Sequence, residues 1–194
     1  LDPKFGVAYG AMAATSRNLE RQQDAEKYAE EAIRHLDSMT ERERYRTRGF
    51  LYSITNDYQA CVKEYGDLIA RYSADAAARN NRALCLTQLR NMPQAVEEMR
   101  QVVKILPNRA LYRENLALYS AYSGDFQAAE QEVKAMPQPG LFALLALAFA
   151  HAGQGQVVPA TQVYQGLGKN DPEGASYTAS GLADLAIYEG RFSD

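Results

Sequence analysis

Tryptophan is absent from the 194 residues, and histidine and cysteine occur only twice each, as His35 and His151 and as Cys61 and Cys85. Two distant histidines with no cysteine beside them give no zinc-ligand spacing. Cys61 and Cys85 stand 24 residues apart without a CxxC pattern, so two packed thiols are expected rather than a metal site or a disulfide framework. No charge of one sign dominates: the formal net charge is -3 and the pI about 5.5, which removes the basic field that phosphate backbones require and with it nucleic acid as a partner. Long apolar runs are also missing. The longest, LFALLALAFA at 141–150, is half of what a membrane-spanning helix needs, so no membrane insertion is expected. Because it is apolar on every face, that segment is either buried on most sides or a self-associating surface.

Catalytic apparatus is lacking too. The glycine clusters GQGQ at 153–156 and GLGK at 166–169 have neither the strand-then-helix context of a dinucleotide fold nor phosphate-loop spacing, and read as turns. Glu30 with Glu31 and Glu97 with Glu98 fall on outward faces of helical patterns, where solvation accounts for them, and His151 takes a packing position. The expectation is a chain with no catalytic residue, no cofactor and no metal.

What the chain does have is internal repetition. NMPQAVEEMRQVVKILPNRA at 91–110 overlays DYQACVKEYGDLIARYSADA at 57–76 after a shift of 34 residues. A small residue recurs at Ala25, Cys61, Ala95, Ala129 and Ala160, at intervals of 36, 34, 34 and 31. Turn-like clusters precede these residues, as in TNDY at 55–58 and SGDF at 123–126, and helical periodicity precedes each cluster. Each unit is therefore a helix, a tight turn and a second helix, and Pro107, Pro137 and Pro139 close second helices because proline lacks an amide hydrogen.

This pattern resembles the tetratricopeptide repeat, a 34-residue unit with large residues at positions 4 and 11, leucine at 7, small residues at 8 and 20, a large residue at 24 and proline at 32. Tyr45, Gly49, Tyr52, Cys61 and Tyr65 take positions 4, 8, 11, 20 and 24 of one unit; Ala83, Leu86, Ala95, Met99 and Pro107 take positions 8, 11, 20, 24 and 32 of the next. The resemblance implies an all-α fold, a right-handed α-α superhelix of about five helix-turn-helix repeats plus a terminal half repeat. Residues 1–194 then form a single solenoid, with repeats at about 6–41, 42–75, 76–109, 110–140 and 141–175 and a half repeat at 176–194. Arg48 and Arg82 stand where leucine is usual, so their stems pack while their heads are expected to reach water. LDP at 1–3 reads as the end of a preceding unit and 175–194 as a first helix without its partner, so the chain is expected to be part of a longer protein and the face of Leu182, Ala183 and Ala186 to fray or self-associate.

The resemblance also implies a function. In this family the first helices line a concave groove that takes a peptide or protein segment, and carrying its groove positions over gives Arg46, Phe50, Asn80, Asn81, Leu84 and Gln88, followed by Glu114, Asn115, Leu118, Tyr122, Phe142, Leu145 and Phe149. Amides and an arginine at one end and aromatics at the other suit a peptide with polar or acidic contacts and apolar anchors. The clamp that holds acidic chaperone C-termini in some relatives is missing, since its places hold Gly10, Ala14, Ala77 and Asn81. LDPKFGVAYGAMA followed by SMTERERYRTRGFLY also resembles the repeat regions of certain bacterial serine/threonine kinases and regulators, which implies a regulatory or oligomerisation role within a larger chain.

Overall fold

The computed structural model describes residues 5–169 and 172–191; the LDP segment at 1–3 lies outside them. Eleven α-helices follow one another: α1 (Gly6–Asn18), α2 (Gln22–Arg34), α3 (Glu41–Ile54), α4 (Tyr58–Arg71), α5 (Ala76–Gln88), α6 (Met92–Ile105), α7 (Ala110–Tyr122), α8 (Phe126–Lys134), α9 (Leu141–Gly153), α10 (Val157–Leu167) and α11 (Pro172–Tyr188). No strand occurs among the described residues. The two residues inserted in the first repeat are taken up by a 3-10 turn at Leu36–Ser38, and the prolines after repeat 4 leave α8 only nine residues long. Helix α11 begins at Pro172, four residues before the expected half repeat, because proline is suited to the first helical position.

The hairpin turns share one backbone solution. Glu20, Asn56, Arg90, Gly124 and Gly155 all have φ between +58° and +83°. Where Gly124 turns left-handed, its N–H donates to the Ala121 carbonyl and the Asp125 N–H to the Ser120 carbonyl, at 3.1 and 3.0 Å, which caps the last carbonyls of α7. Asp125 then begins α8 by accepting the Ala128 N–H, and Asp57 and Asp75 do the same for α4 and α5. Thr40 and Glu43 form a reciprocal capping box at the start of α3.

The chain divides into two compact units, 1–98 and 99–194. In both, the small residues sit where helices cross. Ala13, Ala83, Ala117 and Ala148 on first helices, and Ala25, Cys61, Ala95, Ala129 and Ala160 on second helices, are all 0% exposed. Gly49 is buried, and a Cβ there would lie 2.8 Å from the Tyr65 ring. Ala83→Leu or Ala95→Leu is accordingly expected to cost about 1–3 kcal/mol through overpacking. Glu97→Ala, on an exposed surface, should change stability by less than about 0.5 kcal/mol, and urea denaturation of the three variants measures the contrast.

Three expectations are corrected. Cys61 and Cys85 are not free thiols but a disulfide that joins α4 to α5, with Cα atoms 6.3 Å apart. The heads of Arg48 and Arg82 do not simply reach water: sixteen residues further on, Glu64 and Glu98 pair with them across each helix hairpin. Glu98, read as solvated, is 9% exposed and also takes Arg79 at 2.7 Å, and Arg113 meets Glu132 in the same way one repeat later. In the units of Arg48 and Arg82 an arginine–glutamate pair stands where leucine packing is usual, whereas the unit of Arg113 keeps a buried Leu116 at that place. The apolar run 141–150 is covered by α7, α8 and α10, and none of its side chains is among the exposed large hydrophobics.

In the C-terminal unit, α11 has no second helix against it among the described residues. Its crossing residue, Ala183, is exposed, whereas Leu182 is half-buried and Ala186 only 7% exposed. A hollow of about 660 Å³ runs beside them, and Ile187 and Tyr188 are more than half exposed. Of the two segments expected to self-associate, this one presents the more exposed apolar side chains.

Candidate functional site

In residues 1–98 the first helices α1, α3 and α5 enclose a hollow of about 470 Å³. Helix α1 presents Val7, Ala11 and Ala14, α3 presents Arg46 and Phe50, and α5 presents Ala77 and Asn81. Small residues from two walls keep the hollow open, while α3 supplies charges of both signs, Glu43 and Arg46, and the Phe50 ring.

Arg46 is not a free donor. One terminal nitrogen reaches Asp75 Oδ1 and Oδ2 at 2.9 and 2.8 Å, and Arg42 Nε adds a bond of 2.8 Å to the same carboxylate. Asp75 is 2% exposed and also caps α5. Burial by itself would push its carboxyl up, but the hydrogen bonds from Arg46, Arg42 and the Ala78 N–H outweigh this and hold it below the usual carboxylate range. Arg46 thus ties α3 to the start of α5 and keeps one side toward the hollow.

Phe50 is half-buried, with the Arg17 guanidinium 5.9 Å from its ring centre. Asn81 donates to the Tyr65 hydroxyl at 3.1 Å and accepts from Asn80 at 3.2 Å. Tyr65 forms part of the lining, and burial pushes its pKa up to about 12, so at neutral pH it stays an uncharged hydroxyl. By repeat register alone Tyr65 is only a core residue at position 24. Asn80, Leu84 and Gln88 do not line this hollow; Leu84 is half-buried and Gln88 exposed at the end of α5.

The remaining expected groove residues lie in 99–194. Tyr122, Leu145 and Phe149 meet around a second hollow of about 120 Å³, where Leu145, 4% exposed, is floor rather than groove surface. Phe142 and Phe149 are half-buried and pack on the core, contacting Tyr177 and Tyr122 edge to face, so both are packing residues as well as surface ones. Leu118 packs on both core clusters of this unit. The Glu114 carboxylate lies so close to Gly140, ahead of α9, that a Cβ there would collide with it; Asn115 is half-buried on α7.

Among the described residues no cluster of three or more metal-ligating side chains occurs and no helix is long and apolar enough to cross a membrane. His151 hydrogen-bonds Gln156 at 2.7 Å, and His35 stacks on Tyr9.

No family model matches the sequence, and no curated protein matches it. Solved structures do match in fold. A thermophilic tetratricopeptide-repeat protein from Thermus thermophilus superposes with a TM-score of 0.74 at 16% identity, over 91% of this chain and 98% of that one. A tetratricopeptide-repeat protein from Parabacteroides merdae gives 0.67 at 15% identity, over 96% of this chain and 74% of that one. YrrB, a protein of the same class with an unusual peptide-binding site, gives 0.59 at 13% identity, over 98% and 94%. The chain has the tetratricopeptide-repeat fold, reached with the Arg–Glu pairs described above in place of some of the usual leucines.

Proposed function

We propose that this chain is a protein-interaction scaffold rather than an enzyme, and that it takes a peptide segment against its first helices. The observation that carries the reading is the N-terminal hollow: α1, α3 and α5 converge on open space in which Arg46, Phe50 and Asn81 offer a cation, a ring and an amide together. Those groups suit an extended segment that inserts an apolar side chain beside Phe50 and leaves backbone groups to Asn81. YrrB, similar in fold, carries a peptide-binding site, which supports the same use of the fold here. The reading of 1–194 as a single array of repeats, with the boundaries given above, belongs to the same proposal.

A random dodecapeptide library panned against the purified chain tests it. Enriched peptides should bind wild type and lose at least about tenfold in affinity with Ala11→Arg, because an arginine on that exposed wall fills the hollow without touching the core. Equal binding to wild type and Ala11→Arg would refute the assignment.

A further inference from the structure

The smaller hollow of the C-terminal unit has an unusual composition. Four aromatic residues line it, Tyr122, Phe149, Tyr164 and Tyr177, together with Asp184, and none of its lining residues is basic. Tyr122 and Phe149 stand at 80° to each other with centres 5.2 Å apart, which gives two walls meeting at nearly a right angle. Phe142 braces Tyr177 edge to face from behind, at 6.3 Å. Gly181 lets the Tyr164 ring lie directly against α11, since a Cβ there would strike it. At about 120 Å³ the hollow has roughly four waters' volume, room for a small headgroup.

From this geometry we infer that the hollow is a binding site for an alkylammonium cation, of the kind found in methylated lysine or in choline. The faces of aromatic rings carry the negative part of the ring quadrupole and attract cations, most strongly where water is displaced. Asp184 adds a full negative charge. It is exposed, has no hydrogen-bond or ion-pair partner among the described residues, and bears on the Tyr164 hydroxyl. Burial raises the pKa of Tyr122 and of Tyr164, so their hydroxyls remain neutral and the charge of the site is that of Asp184. Anions gain nothing here, and the donor set is too poor for a metal ion, whereas methyl groups around a cationic nitrogen match both the rings and the carboxylate.

Choline and 3,3-dimethylbutanol, its uncharged counterpart of the same shape, separate cation recognition from apolar filling. With no tryptophan in the chain, quenching of tyrosine emission reports either one directly. Choline should bind at least about tenfold more tightly than the alcohol, the difference expected of a cation–ring contact reinforced by a carboxylate. Asp184→Asn, an exposed change, should abolish most of that preference while leaving the alcohol unaffected. A peptide bearing trimethyllysine, titrated alongside its unmethylated form, distinguishes the sources: tighter binding than choline assigns the site to a side chain, weaker binding to a free small molecule. Equal affinity for choline and the alcohol, no binding of choline at tens of millimolar, or an unchanged preference in Asp184→Asn overturns the inference. Ala11→Arg, which tests the N-terminal hollow, should leave choline binding unchanged, so failure of one proposal is distinguishable from failure of the other.

Discussion

Replacing Cys61 and Cys85 together by alanine is expected to lower the stability of residues 1–98 by about 3.5 kcal/mol, the chain-entropy value for a loop of this size. The substitution isolates the cross-link unusually well. Cys61 occupies the small crossing position that Ala25, Ala95, Ala129 and Ala160 fill in the other repeats, all of them fully buried, so alanine suits its site. Cys85 is 1% exposed, and loses one buried sulfur. Reductant should destabilise wild type by a similar amount and leave the double variant unmoved. Urea curves of both proteins, with and without reductant, measure this; coincident curves for wild type in the two conditions would mean that the cross-link contributes nothing.

Arg46→Glu is expected to be nearly as damaging, at about 3 kcal/mol, because it removes one partner of a buried carboxylate and sets a like charge against it. By register alone Arg46 is a groove donor whose reversal affects only acidic ligands. Asp75 changes that outcome, since the guanidinium is part of the link between α3 and α5 before any ligand arrives. Arg42, the other partner, is nearly half exposed and keeps a cation–ring contact with Tyr72, so Arg42→Ala should cost less, roughly 1 kcal/mol. A pH series adds a check on sign. Asp75 has a depressed folded pKa, so its contribution is present above the ordinary carboxylate pKa of about 4 and is lost as pH falls through the lower folded value. The stability gap between wild type and Arg46→Ala should therefore narrow as the medium is acidified below about pH 4.

Positions where steric room is the only requirement were legible in the sequence. Small residues at a regular interval can be counted, and every one of them on the five complete repeats is buried at a helix crossing. Side chains whose role depends on a partner from another helix were not. Cys61 and Cys85 stand on neighbouring repeats and have no local spacing that marks a pair, and nothing near Asp75 in the sequence marks Arg42 and Arg46, on another helix, as its partners. Register alone puts Leu145 in the groove; in the fold it packs in a core cluster, 4% exposed, and only borders the smaller hollow. That hollow had a signal of its own. By repeat register Tyr122, Phe149 and Tyr177 fall at expected groove positions of three successive first helices, and the three line one hollow even though no two are close in sequence.

The disulfide also fixes how the chain would respond to pulling. It closes across a repeat boundary, so the segment between its cysteines, which stand 24 positions apart, is hidden from any load applied through the two ends. Fully stretched, the oxidised chain should be shorter than the reduced one by about 80 Å, the extended length of that segment. Force would unwind α1–α3 and the helices beyond α5 while most of α4 and α5 stayed behind the tether. Under tension the centre of the N-terminal unit would therefore behave as a knot in the string.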